Sequence, residues 1–171
     1  MAHPKHAAVR QRYGFACGYC SVSETDAGGE LTVDHFQPVS AGGNESDENL
    51  VYACSRCNLF KGDFWPSPQD EEHGHRLLHP LRDHVTAHVH LIEQTGQLEA
   101  LTETGRFHIA SLQLNRPALV ALRIRRRLIS LLEAKKLLLE TEVAQLRSTI
   151  EAQERYIVLL QTLLGLSPSE E

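Results

Sequence analysis

From residue 118 to residue 164 no glycine or proline interrupts the chain. Along this stretch Ile129, Leu132, Leu139, Val143, Leu146, Ile150, Ile157, Leu160 and Leu164 recur at steps of three and four, with Lys136 and Gln153 as the polar members of the same series. That period predicts one long helix with a heptad seam. It would run to about 70 Å at the usual helical rise, too long to bury itself on the rest of the chain. β-branched residues at position a and leucine at position d favour a parallel two-stranded coil, so residues 129–164 are expected to form a homodimer. The flanking charges agree, since Lys135 would meet Glu140 and Glu142 would meet Arg147 across such a pair. Extra leucines at 128, 131, 138, 159 and 163 widen the apolar face. They leave open a larger bundle, or packing on a different protein's helix.

Upstream the periods are shorter. Residues 31–36, LTVDHF, alternate and carry β-branched side chains, which predicts a strand. A loop rich in Pro, Gly, Ser, Asn and acidic residues follows, then a second short strand at 49–53, NLVYA, and a short helix at 55–64. Residues 66–83 are punctuated by Pro66, Pro68, Gly74 and Pro80 and predict irregular connection. Val85, Ala87, Val89 and Leu91 alternate with polar residues before EQTGQ, which predicts a hairpin. Asn115 is placed to cap the long helix and Pro117 fits its first turn. The expected divisions are therefore 1–65, a connector and hairpin at 66–115, the long helix at 116–165 and a tail at 166–171.

Charge changes this picture in one respect. Of the net −5, residues 1–115 hold −7 and residues 116–171 hold +2. The front half is a poor polyanion surface by itself, so phosphate contacts are expected from the run Arg123, Arg125, Arg126 and Arg127. No run of eighteen apolar residues is present, which excludes a membrane-spanning helix, and the first residues lack the apolar core of a signal peptide. A cytoplasmic protein is the expectation, and in a reducing compartment four cysteines read as metal ligands more readily than as disulfides.

Those cysteines fall in two matched pairs, Cys17-x-x-Cys20 and Cys54-x-x-Cys57. Each CxxC turn offers two thiolates at a separation that suits tetrahedral zinc, and with all four positions filled the site would be structural. Asp34-His35 closes the first predicted strand, Asn49 opens the second, and Asn58 abuts the last cysteine. A second group of histidines, His73, His75, His79, His84, His88 and His90, is expected to be polar surface or DNA-facing, with a further metal site as the alternative.

The combination VDHFQPVSAGG, NL and CSRCNLFKG, over residues 12–64, resembles an HNH endonuclease domain, the ββα-metal nuclease fold with an accessory zinc clamp. The stretches LHPLRDH and TGRFHIASLQLNRPALVALR resemble the downstream region of small bacterial HNH-family proteins, so the likeness extends to about residue 127. The resemblance implies an α+β fold: a zinc-clamped ββα nuclease domain, a hairpin extension and a coiled-coil helix. It implies a metal-dependent endonuclease acting on DNA, with His35 as general base and Asn49 holding the loop that orients it. Asp34 and Asn58 are implied as ligands of a catalytic Mg²⁺ or Mn²⁺. Asn58 stands at the last position of the motif, where the family uses His or Asn, so this chain reads H-N-N rather than H-N-H. Histidine titrates near neutrality and suits a base that activates water. Oxygen ligands suit a hard cation, while the Cys17, Cys20, Cys54 and Cys57 thiolates suit Zn²⁺. Lys61 could touch phosphate, be a solvated surface lysine, or form an ion pair with Asp63. A zinc-stabilised nucleic-acid- or protein-binding module on a coiled-coil stalk is the alternative, as is a nuclease subunit docked on another protein.

Overall fold

The computed structural model describes residues 3–165, so the expected tail at 166–171, with Pro168, lies outside the described residues. Internal contacts divide the chain into two units, Met1–Ile124 and Arg125–Glu171.

The first unit is built around an antiparallel pair, β1 (Thr32–His35) and β2 (Leu50–Ala53), in the register Asp34↔Val51 and His35↔Leu50. Every residue of β2 is buried, as its unbroken apolar run LVYA requires. Two four-residue strands cannot stand alone in water. Around them pack α1 (His6–Arg12) through Val9, the turn at Cys17 and Cys20, and α3 (Ser55–Lys61) through Cys57. The order strand, loop, strand, helix expected for residues 31–64 is the one observed. A short α2 (Glu24–Ala27), capped by Ser23, was not expected. Its Glu24 carboxylate takes a paired contact from Arg10 at 2.5 and 2.7 Å and the Tyr52 hydroxyl at 2.5 Å, while that hydroxyl accepts Leu31 N–H at 2.8 Å.

Residues 66–124 share this core, to which they contribute Leu77, Leu112, Leu114, Leu119 and Leu122. Their expected irregularity is broken by α4 (Pro68–Glu72), which a Ser67–Asp70 capping box starts. The predicted hairpin is present as β3 (Val89–Ile92) and β4 (Gln97–Ala100), but its first strand is shorter than the alternation implied. Residues 85–87 close a 3₁₀ turn, in which Ala87 and His88 N–H reach back to His84 and Val85 carbonyls. A helix α5 (Glu103–Ser111) follows, capped by Thr102, and α6 (Pro117–Leu163) begins as expected at Pro117. Asn115 does not cap α6. Its amide clasps both the N–H and the carbonyl of Leu98, each at 2.7 Å, and so fastens the hairpin to the chain entering α6.

The second unit is the remainder of α6. Its seam residues Ile129, Leu139, Val143, Ile150 and Ile157 are about half exposed, and Lys136 pairs with Glu140 at 3.7 Å along the helix. Among the described residues no helix is long and apolar enough to cross a membrane.

His108 on α5 is buried, and its Nδ1 accepts the Leu78 N–H at 3.1 Å. Burial lowers its pKa from 6.5 to about 4. Above pH 6.5 the ring is neutral folded or unfolded. As the pH falls from 6.5 toward 4, only the unfolded chain takes up that proton, so this group's contribution to stability is lost in that window. At about 1.4 kcal/mol per unit the loss reaches about 3 kcal/mol. In His108→Gln, which keeps an acceptor for Leu78, the decline in unfolding free energy between pH 7 and 4.5 should be shallower by roughly that amount. Urea titrations at the two pH values measure it, and identical declines would contradict the assignment.

Candidate active site and metal clamp

The two CxxC turns come together because β2 lies between them in the chain and in space. The first is pinned to β2 by Gly18 N–H on the Tyr52 carbonyl at 2.8 Å. A side chain at Gly18 would strike the Tyr13 ring at 2.6 Å, so glycine is required for this approach. The second turn starts α3, with Cys54 as its N-cap and the Cys54 sulfur accepting Cys57 N–H at 3.4 Å. All four cysteines are buried, and their sulfurs lie within 4.8 Å of one another. The Cys20 and Cys54 sulfurs are 3.7 Å apart. A tetrahedron with Zn–S bonds of about 2.3 Å has an edge of about 3.8 Å, so the donor set fits a closed structural zinc site.

One cation serves this cluster. Arg116, which precedes α6, places Nη2 3.7 Å from the Cys57 sulfur, 3.9 Å from Cys20 and 4.0 Å from Cys54. Its Nη1 is tied to the Leu112 and Gln113 carbonyls, and the guanidinium lies over the Phe60 ring. The sequence holds no local sign of this contact, because Arg116 lies 59 residues from Cys57 and 96 from Cys20.

On the other side of α3, Asp34, His35, Asn58, Lys61 and Asp63 line a single cleft, closed at one edge by Pro38, Val39 and Ser40. Asp34 is buried at the end of β1. Its Oδ2 accepts the Tyr19 hydroxyl at 2.7 Å and its Oδ1 accepts Lys61 Nζ at 3.2 Å. Burial pushes the Asp34 carboxyl up, and the Lys61 charge and Tyr19 hydroxyl oppose the rise. Lys61 is neither a surface lysine nor a partner of Asp63. It is 3% exposed, and its ammonium also donates to the His35 carbonyl at 2.7 Å. Asn58 and Lys61 share one face of α3 at a spacing of three. The Asn58 amide nitrogen donates to Thr32 Oγ1 at 3.4 Å, which leaves its carbonyl oxygen as an acceptor.

His35 is held from outside the cleft. Its Nε2 donates to Glu45 Oε1 at 2.8 Å, and His3 Nε2 donates to Glu45 Oε2 at 2.7 Å. The Lys5 N–H on His3 Nδ1 at 3.1 Å fixes the His3 tautomer that makes this donation. These two donors hold the Glu45 carboxyl below the usual carboxylate range, His35 first. A carboxylate only accepts, so His35 carries a proton on Nε2, and in the neutral ring Nδ1 is the atom with the lone pair. Asn49 secures the loop that carries Glu45. Its amide accepts Gln37 N–H at 2.8 Å and donates to the Gln37 and Asn44 carbonyls at 3.0 and 2.9 Å.

The structure thus gathers Asp34, His35, Asn58 and Lys61, sets Asn49 behind them, and adds Tyr19, Glu45, His3 and Arg116. Of the arginine run, Arg123 donates to the Gly96 and Leu114 carbonyls at 3.0 and 2.7 Å. Arg125, Arg126 and Arg127 belong to the second unit. Within the histidine group, His79 is a core residue whose Nε2 donates to the Glu48 carbonyl at 2.9 Å. Among the described residues, the groups of three or more metal-capable side chains are the four cysteines and His3, His35 and Glu45, so the 73–90 histidines form none.

A small antiparallel pair, a following helix and a four-cysteine clamp define the zinc-clamped ββα class. The chain carries a member of that class within its first unit: residues 17–64 match the family model described as HNH endonuclease. No curated protein and no solved structure matches the chain.

A zinc tetrathiolate carries two negative charges, which the Arg116 guanidinium offsets in part. Arg116→Met should bind the same molar amount of zinc at saturation but with roughly ten-fold lower affinity. Competition with a chromophoric chelator reads this directly, and an unaltered zinc affinity would show that Arg116 only packs there.

Proposed function

We propose that residues 17–64 are the catalytic domain of a metal-dependent endonuclease that hydrolyses DNA phosphodiester bonds. The observation that carries this reading is the convergence of Asp34, His35, Asn58 and Lys61 on one cleft of an HNH-family domain. Hydrolysis needs a base to take a proton from water and positive charge to meet the charge that develops on phosphate. His35 supplies the base. With its Nε2–H committed to Glu45, Nδ1 is the atom left to accept the water proton. Asp34 and Asn58 present hard oxygens on the same cleft and would hold Mg²⁺ or Mn²⁺. When bound, such a cation would polarise the phosphate and stabilise the leaving oxygen. Lys61 opposes the rise that burial imposes on the Asp34 carboxyl and so favours its charged, metal-binding form. Supercoiled plasmid with Mg²⁺ or Mn²⁺ tests the reading. His35→Ala should lower cleavage by about 10²–10⁴-fold. Asn58→Ala should abolish cleavage at unchanged zinc content. Wild type and His35→Ala equally inactive in every metal would remove the proposal's support.

We also propose that the second unit pairs with a second copy of this chain through residues 129–164. The support is a seam of half-exposed apolar side chains at strict heptad spacing, with g and e charges that attract in a parallel pair. Val143→Lys with Leu146→Lys in the full chain should convert dimer to monomer in light scattering. An unchanged mass would place the contact elsewhere.

A further inference from the structure

A second cavity is lined by residues that follow the cleft's own in the chain. Phe36 follows His35, and Phe64 and Trp65 follow Asp63, so the same two segments line the cleft with one residue and this cavity with the next. Its volume is about 210 Å³, and Leu77, His79 and Arg82 complete the wall. Ligand pockets for drug-sized molecules begin at about 300 Å³, so this one suits a single planar ring system.

The walls are aromatic faces and edges. Phe36 meets Trp65 edge-on with centroids 6.0 Å apart and His79 at 4.7 Å. Trp65 remains 38% exposed, so part of its ring is open to a ligand. His79 is a neutral wall, since Leu81 N–H on Nδ1 and the Glu48 carbonyl on Nε2 fix its tautomer, and burial lowers its pKa. Of the charged groups present, Arg76 and Asp83 neutralise each other through two contacts at 2.9 and 3.1 Å. That leaves Glu71 and Arg82, the latter exposed over the Phe36 ring at 5.7 Å and without a carboxylate partner among the described residues. Glu71 on the rim offers an acceptor for an exocyclic amine or ring N–H. Flat apolar faces, a guanidinium without a carboxylate partner among the described residues and a lining that adjoins the cleft's in sequence are the features that suit holding a base by stacking while its phosphate is paired.

We propose that this cavity takes an unpaired nucleobase of the DNA strand whose phosphate lies in the cleft, so that the substrate is DNA with an unstacked base beside the cut. The inference rests on the nuclease reading. An unpaired base can come from a single strand or from a bulge or mismatch in a duplex, and the shared requirement is that no complementary base covers its face.

Trp65 is the only tryptophan of the chain, so its fluorescence reports this cavity alone. Full-length His35→Ala, which binds without cutting, is titrated with four probes of equal length. These are a single strand, an abasic deoxyribose-phosphate strand, a perfect duplex and the same duplex with one bulged base. The single strand and the bulged duplex should quench Trp65 saturably, and the abasic strand and perfect duplex should not. Trp65→Ala should lose roughly ten-fold affinity for the single strand and none for the abasic strand. Arg82→Gln, a surface change that spares the fold, should weaken the single strand as well. In wild type, cleavage should concentrate beside the bulge. A single-strand preference without quenching by the bulged duplex would identify the source as single strands and keep the inference. Equal quenching by base-bearing and abasic strands, or no binding of any probe, overturns it. Rapid cutting of the perfect duplex with Trp65 silent overturns it while leaving the nuclease standing. Selective quenching without cleavage of any DNA leaves the pocket standing and removes the nuclease.

Discussion

The fold of the first unit depends on one constraint: four buried cysteine sulfurs must share a single tetrahedral volume. A pair of four-residue strands and a seven-residue helix bury too little surface to hold themselves in place. Drawing Cys17 and Cys20 onto Cys54 and Cys57 closes the chain around β2 and fixes where α3 begins, because Cys54 is both a sulfur donor and the helix cap. The first turn of α3 is then set, and with it the direction of Asn58 and Lys61 one turn later. Arg116 extends the same constraint to the residues before α6, so the segment after the family domain is held to the clamp by charge as well as by leucines.

The cleft beside the clamp shows how a small domain keeps charge inside. Asp34 and Lys61 are both nearly fully buried, a state that costs more than a lone ion pair returns unless other hydrogen bonds complete it. Tyr19 on one carboxylate oxygen and the His35 and Gly62 carbonyls on the ammonium supply them. Tyr19 lies inside the first CxxC turn, so the residue that satisfies the cleft carboxylate is itself positioned by the cysteine clamp. Clamp and cleft are therefore mechanically one object, although one offers soft thiolates and the other oxygen donors.

What could be read in the sequence follows from how local each cause is. The CxxC spacing, the Asp34-His35 pair and the alternation around them lie within a few residues, and the structure places them as the spacing implies. Lys61 was within reach too, since its spacing of three from Asn58 puts both on one helical face. Glu45, His3 and Arg116 were not, because each acts on a partner ten to almost a hundred residues away through a contact with no periodic signature. Asn115 shows the converse error. Its position before Pro117 satisfies every local rule for a helix cap, yet the hairpin at Leu98 offers the same amide two backbone partners at once. The short first strand at residue 89 has a similar origin, for alternation at 85–88 is equally compatible with a 3₁₀ turn.

The distribution of aromatic residues separates two kinds of burial in the first unit. Tyr52 and Tyr19 are enclosed, and each hydroxyl finds a carboxylate, so both serve the packing of β2 and the clamp. Phe64 tilts against Phe107 on α5 and closes the core toward the downstream segment. Trp65, one residue further, does neither. It stays partly open beside an arginine without a carboxylate partner among the described residues, on the segment that has just lined the cleft with Lys61, Gly62 and Asp63. A core built only for stability would cover that ring with the leucines the downstream segment already supplies. Leaving it partly uncovered, beside the Arg82 guanidinium, is the arrangement expected of a surface that meets a flat apolar face attached to a phosphate.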